Sequence, residues 1–312
     1  MNSSRKVSKG KRAGVPLRGK CHRVIIPRTL LIALGLVCGA VGRADEVTGT
    51  NSVPATGGQP LWEIGVAGLS SRLPYYRGSD EYRTYTFPVP YVVYRGERFQ
   101  ADREGARGFF YKGPLIETEL SVNGNPPVND GNGVRHGMPE LNPLIEIGPA
   151  VRVYLHRGSI VKNVYLEGAA RVVSSLDIHD LGVDYQGVRG GLGLVVAGVK
   201  PGPKSPWTTG GRLGLDVADS RYHGYFYDVD EPYVLPNRPE FHSDGGYSGA
   251  SLSGWLFRRL GDDVSISVFA KWDNCEGAVY EDSPLVRTKN NITVGAALVW
   301  KLTESKTKVR RK

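Results

Sequence analysis

The chain has 312 residues with 40 basic and 31 acidic side chains, a formal net charge of +9. Ten of the basic residues and no acid fall in residues 1–44, and six basic residues with one acid fall in residues 301–312, so residues 45–300 carry 24 basic against 30 acidic side chains. An acidic body removes the phosphate-binding term of a nucleic-acid protein, and Cys275, the one cysteine outside residues 1–44, excludes a disulfide framework or a CxxC metal site there.

Residues 1–44 read as a signal peptide. A basic stretch ends at Arg28, the apolar run Thr29–Val41 follows, and Gly42 and Ala44 are small where a signal peptidase cuts. Cleavage is expected after Ala44. The apolar run has 13 residues, short of the roughly 20 that a spanning helix needs. A retained membrane anchor is the rival reading. A lipoprotein site at Cys38 is disfavoured because Val37 before it is not small. The stretch 45–60 is rich in Gly, Thr, Ser and Pro and reads as a flexible N-terminal arm.

From Leu61 onward the apolar residues recur with a period of two, the strand period. Ile145, Ile147, Val151, Val153 and Leu155 share one parity, with Glu146, Arg152 and His156 on the other. Val164, Leu166, Ala170 and Val172 oppose Asn163, Glu167 and Arg171. Val264, Ile266, Val268, Ala270 and Trp272 oppose Ser265, Ser267 and Lys271. Twelve such segments are expected, near 61–73, 82–94, 97–103, 107–112, 115–123, 141–156, 160–174, 183–199, 206–219, 247–258, 262–273 and 289–301. Several exceed the five or six residues usual in a soluble sandwich and approach the roughly 9–11 of a tilted bilayer-crossing strand.

The connections alternate in length. Long ones are expected at 124–140, 220–246 and 274–288, and tight turns at 95–96, 157–159 and 259–261. With both termini in the periplasm, all long loops face outward, the pattern of an outer-membrane barrel. The expected fold is all-β: a closed antiparallel transmembrane β-barrel of about 10–12 strands over residues 61–302, with long extracellular loops and a basic periplasmic tail at 303–312. The apolar faces meet acyl chains, and Glu146, Arg152, His156, Glu167, Arg171 and Lys271 are expected to line the lumen.

The stretch "PYYRGSD", Pro74 to Asp80, follows the first segment. Tyr75 and Tyr76 are expected to open an interfacial aromatic girdle that continues through Tyr82, Tyr85, Tyr91 and Tyr94. Pro74 ends the strand, Gly78 supplies positive φ, and Ser79 and Asp80 complete a solvated turn.

These motifs resemble the MipA/OmpV family of outer-membrane proteins. The matching stretches are Trp62–Gly96, Ala101–Gly105, Tyr225–Gly249 and "DSPLV", Asp282–Val286, which contains Ser283 and Pro284. The resemblance implies an outer-membrane barrel. It also implies a scaffold joining a lytic transglycosylase to a peptidoglycan synthase, or, as in other relatives, a porin-like channel or a surface-exposed adhesin or antigen. Outer-membrane lipid and lipopolysaccharide are the expected surroundings. The chain departs from the usual barrel in one respect: the last segment reaches Trp300 and is followed by "KLTESKTKVRRK". Either an internal assembly signal ends at Trp300 or assembly differs.

No enzyme and no cofactor are expected. His156 with Ser265 or Ser267 and Glu146 or Glu167 could form an acyl-transfer set, but no spacing ties them together. Glu117 and Glu119 lie on one strand face and suit ion pairs with lumenal arginines better than acid–base work. His136, His179, His223 and His242 lack metal-ligand spacing. Gly190, Gly191 and Gly193 sit inside a strand pattern that continues, so they suit close packing in a barrel wall, not a phosphate cradle. The acidic, aromatic stretch 220–246 reads as a loop packed over the barrel mouth. The sharper alternative is that it narrows the lumen or binds divalent cations shared with lipopolysaccharide.

Overall fold

The computed structural model describes residues 58–309, apart from 103–104, 129–132, 178–179, 181 and 203–204. The expected signal peptide and most of the arm lie outside the described residues. The strands in chain order are β1 (Gln59–Pro60), β2 (Trp62–Pro74), β3 (Tyr82–Arg95), β4 (Phe99–Asp102), β5 (Gly105–Lys112), β6 (Ile116–Asn125), β7 (Leu144–Arg157), β8 (Asn163–Leu176), β9 (Val183–Val199), β10 (Trp207–Ala218), β11 (Gly246–Arg259), β12 (Val264–Asn274), β13 (Asn290–Glu304) and β14 (Lys308–Val309). One helix, α1 (Ser220–Tyr227), and a 3-10 turn, Glu231–Tyr233, lie between β10 and β11.

Strands β2 to β13 pair antiparallel with their sequence neighbours, and β13 returns to β2, closing the barrel. The twelve expected segments coincide with these strands to within a few residues. Closure matters because hydrocarbon offers no partner for a backbone N–H or C=O. No described helix is long and apolar enough to cross a membrane. The connections after β2, β6, β8, β10 and β12 gather at one rim, and those after β3, β5, β7, β9 and β11 at the other, together with the chain ends.

Burial alternates residue by residue, and the apolar parity faces out. Ile147, Leu166, Leu213, Leu252 and Leu298 are each 40–53% exposed. Glu146, Arg152, Glu167 and Arg171 on the other parity are no more than 6% exposed. This is the inverse of a soluble barrel, and it places acyl chains outside. Outward aromatics form two bands. Tyr94, Phe99, Tyr111 and Trp300 sit toward the turn rim, and Tyr185 and Trp272 toward the loop rim.

The ends differ from expectation. Gln59 pairs with Val309 and Pro60 with Lys308, so β1 and β14 form a small ribbon below the turn rim. The last residues of the arm and the first of the tail are therefore held by backbone hydrogen bonds, including Leu61 N–H to Thr307 O at 2.9 Å. The final barrel strand runs on to Glu304.

Replacing Leu166 by Arg should place a charge against acyl chains and cost about 2–4 kcal/mol if the site lies near the bilayer midplane. Urea unfolding in lipid vesicles measures this. Leu166→Val should cost far less.

Candidate functional site

The distinctive chemistry sits at the loop rim and begins with Arg77 of "PYYRGSD". Gly78 has φ +95°, a conformation that glycine adopts without strain. Its N–H donates to Asn291 Oδ1 at 2.6 Å, and its carbonyl accepts from the N–H groups of Arg287 and Thr288. Asn291 also donates from Nδ2 to Ser79 O at 2.7 Å. The turn is thereby folded back over the mouth and does not extend into solvent. Arg77 then points down into the barrel. Its Nη2 donates to Asp216 Oδ2 at 2.9 Å and to Asp273 Oδ1 at 2.6 Å, and its Nη1 to Ser248 O at 2.6 Å. Asp216 on β10 and Asp273 on β12 flank β11, so one guanidinium ties the hairpin turn to two walls.

The network continues inward. Arg189 on β9 bonds Glu146 on β7 at 3.0 Å and Asp216 at 3.3 Å. Lys271 bonds Asp273 at 2.9 Å. Deeper, Arg152 pairs with Glu167 at 3.1 Å and Glu119 at 3.4 Å, and Arg171 donates to Ser121 Oγ at 2.9 Å. Tyr154 donates to Glu117 at 2.9 Å. Near the turn rim Arg95 pairs with Glu63 at 2.7 Å. Gly191 and Gly193 make room for this chemistry: a Cβ on Gly191 would stand 2.7 Å from Asp216 Oδ1, and one on Gly193 2.6 Å from Arg212 Nε. The strand runs on through both glycines, and no helix follows them.

Above the network, the four loops after β2, β6, β10 and β12 pack into one lid. Tyr76 (6% exposed), Phe226, Tyr227, Val229, Tyr280 and Leu285 form a buried apolar cluster. Tyr227 and Tyr280 stack at 3.7 Å. The hydroxyl of Tyr76 donates to Leu285 O, that of Tyr227 to Arg77 O, and Ser283 Oγ to Tyr227 O, at 2.7–2.9 Å. The "PYYRGSD" and "DSPLV" motifs, about 200 residues apart in sequence, are thus two halves of one clasp. Asp219 caps α1 through Tyr222 N–H at 2.8 Å and also accepts from Val188 N–H, which docks the helix on β9. Gly187, at φ +108°, leaves space for that carboxylate. A chamber of about 170 Å³ remains beneath the lid, bordered by Tyr76, Arg77, Arg189, Asp216, Lys271 and Asp273.

Burial holds the lid groups in their neutral forms. Desolvation pushes the Tyr280 phenol up to about 12 and lowers His223. His223 Nδ1–H donates to Asp244 O and Nε2 accepts from Ser248 Oγ–H, both at 2.7 Å. Burial also raises the Cys275 thiol, which is fully enclosed. On the outer surface of the lid, the hydrogen bond to Glu240 raises His242.

Several expectations change. Tyr76 is part of the lid core, not of an interfacial girdle. Tyr91 lies on the inward parity of β3 and donates to Glu63 at 3.0 Å, and Tyr85 shares that parity. Tyr75 packs against the lid cluster. Ser79 is buried and its hydroxyl accepts from Glu81 N–H, while Pro74 is buried at the end of β2 and Asp80 is exposed. Tyr94 does face out. His156 is exposed: a register shift between Tyr154 and His156 moves it off the inward row. It therefore makes no set with the inward Ser265. The acids of 220–246 gather no cation site among the described residues; Asp228 instead accepts Ser243 N–H at 2.7 Å. Sequence reasoning missed Arg77, Asp216, Asp273 and Arg189. Their strand parity marked three of them as inward, but nothing local marks Arg77.

A closed antiparallel barrel with an apolar exterior and a paired ionic interior is an outer-membrane β-barrel protein. The model of the MltA-interacting protein MipA matches residues 64–302, and the chain belongs to that family. No curated protein sequence matches it. Among solved structures it is similar to the outer membrane protease OmpT from Escherichia coli, at 8% identity and a TM-score of 0.24, covering 77% of this chain and 95% of that one. It is also similar to the CymD monoaromatic hydrocarbon channel, at 12% identity and a TM-score of 0.24, covering 78% and 67%. Neither likeness lends this chain an activity.

Arg77→Ala removes the cation shared by two enclosed carboxylates, which keep Arg189 and Lys271, and should cost about 1.5–3 kcal/mol. The readout is the temperature at which the folded gel band converts to the unfolded one, with protease cutting of the lid appearing first. In a magnetic-resonance pH series the midpoints of the two histidines should be displaced in opposite directions from the ordinary histidine value, His242 upward and His223 downward. His242, with a raised folded value, supports the lid at low pH and loses that support as pH rises through its midpoint. His223, with a lowered value, supports the lid above the ordinary histidine range and loses that support as pH falls below it.

Proposed function

We propose that this protein is a non-enzymatic scaffold of the outer membrane that holds a lytic transglycosylase, and with it a peptidoglycan synthase, against the periplasmic rim. The family name, MltA-interacting protein, gives the partner class. The supporting observation is that paired side chains cross the barrel interior at several levels. Arginine–carboxylate pairs run from Arg95–Glu63 to Arg77–Asp273, and the four-loop lid packs over the mouth. A barrel crossed and covered in this way suits presentation of its rim better than passage of solutes.

The turn rim has features that fit docking. Three turns carry exposed aliphatic tips: Leu115 (57%), Ile160 (71%) and Leu260 (54%). Arg259 is exposed nearby. Of the turn arginines, Arg95 is occupied by Glu63 and Pro60 O, and Arg157 partly by Glu117. The aliphatic tips, with Arg259 and the β1–β14 ribbon, are therefore the surface offered.

Replacing Leu115, Ile160 and Leu260 together by Ser should reduce cross-linked recovery of purified transglycosylase at least tenfold while leaving heat-modifiable migration unchanged. Unreduced recovery sinks the rim assignment. Steady single-channel conductance of the wild-type protein in planar bilayers would favour the porin-like reading instead.

A further inference from the structure

The barrel ring is closed, but its wall is not of even height. Strands β3 and β6 have 14 and 10 residues, whereas β4 between them has four. The β3–β4 ladder holds two residue pairs, Tyr94–Ala101 and Arg95–Gln100. Among the described residues no strand pairs with the far edge of β3 from Tyr82 to Val93. The start of the loop after β6 meets only its upper part, where Tyr85 donates to Pro127 O at 3.3 Å. A notch is left in the wall beside residues 86–92.

Two observations say what the notch accepts. The first is backbone chemistry. Arg95 N–H points toward the start of β2, donating to Leu61 O at 2.7 Å, and N–H directions alternate along a strand. Pro88 and Pro90 therefore turn their ring nitrogens to the open edge, where neither has a proton to donate. Prolines on an edge oppose strand addition, so a partner strand is a poor occupant. The second is the inner wall behind the notch. Here β13, β2 and β3 present inward Ala67, Leu69, Val89 and Val299, with Phe87, Tyr91 and Ala297 beside them, one of two apolar patches of the interior, the other being Tyr154, Tyr165, Val195 and Trp255 on the far wall. Apolar side chains line the inside at the one place where the wall is low.

The rim above supplies a headgroup site. On the outer surface the apolar row Val92, Pro90, Pro88 gives way to the Ser70–Thr86 hydrogen bond at 2.9 Å. Arg72 follows one step higher, paired across with Thr84 and exposed. Arg72 lies over the Tyr82 ring at 4.9 Å, and no carboxylate pairs with it among the described residues. A cation at the outer-leaflet level above an apolar notch is complementary to a phosphorylated lipid.

We propose that the β3–β4 notch binds one acyl chain of an outer-leaflet glycolipid, with the phosphate at Arg72. Chain entry requires the partly buried Phe87 and Tyr91 to swing aside, with Tyr91 giving up its hydrogen bond to Glu63. The site anchors a lipid to the barrel wall and makes that wall a fixed orientation mark in the membrane.

Full-length protein in vesicles is irradiated with diphosphoryl lipid A carrying a diazirine in an acyl chain, and adducts are mapped on peptides. Adducts are expected on the inward residues Phe87, Val89 and Leu69, at least tenfold above those from diazirine phosphatidylcholine. Arg72→Gln should lower them at least fivefold, and Val89→Trp should abolish them. Heat-modifiable migration confirms that each protein is a folded barrel, so failure of this site is distinct from failure of the barrel. The wild-type map stands even if Val89→Trp does not fold. Adducts confined to outward residues around the whole barrel overturn the site. Equal inward labelling by a diazirine fatty acid, unaffected by Arg72→Gln, overturns the glycolipid assignment.

Discussion

Everything in this molecule follows from the absence of water along the outer wall. A backbone amide in hydrocarbon has no partner except another backbone group, so the strands must close on themselves. Closure places one parity of every strand against acyl chains and the other inside. The inside then becomes the place for charge, and enclosed charge is tolerated only when paired. The ladder of pairs from Glu63–Arg95 to Asp273–Arg77 is the direct consequence. The glycines of β9 belong to the same account, because Asp216 and Arg212 occupy the space that side chains there would need.

The lid extends this network above the barrel. Arg77 is the joint between the two regions: its guanidinium sits among barrel carboxylates while its carbonyl accepts from the lid residue Tyr227. Tyr76 and Tyr227 bury their rings and still satisfy their hydroxyls on backbone oxygens, as buried phenols require. The "PYYRGSD" and "DSPLV" stretches are therefore two halves of a structural clasp.

The wall is least regular at β4, and there the sequence changes character as well. Pro88 and Pro90 would disrupt a central strand, but on this edge, where the described residues give them no strand partner, they remove two N–H groups that would otherwise lack one. An apolar inner strip lies behind them. Edge chemistry and rim charge change together at this sector of the barrel.

Periodicity alone determined the strands, because each one must alternate to serve two solvents. All twelve, the two rims and the outward set Ile147, Val153, Leu166 and Val268 were legible in the linear pattern. Glu146, Arg152, Glu167 and Arg171 were equally legible as the inward set, since parity is a local property. Parity failed at His156, where a bulge inserts one residue, and at Tyr91, where an aromatic was read by type without regard to the face it occupies. What no local pattern contains is the return of a loop. Arg77 reaches Asp216 and Asp273, 139 and 196 residues away, only because the barrel closes through β13 and brings β2 round beside β12 and β10. Tertiary structure decided that "PYYRGSD" folds inward as a plug, because the carboxylates that draw its arginine come together only after closure.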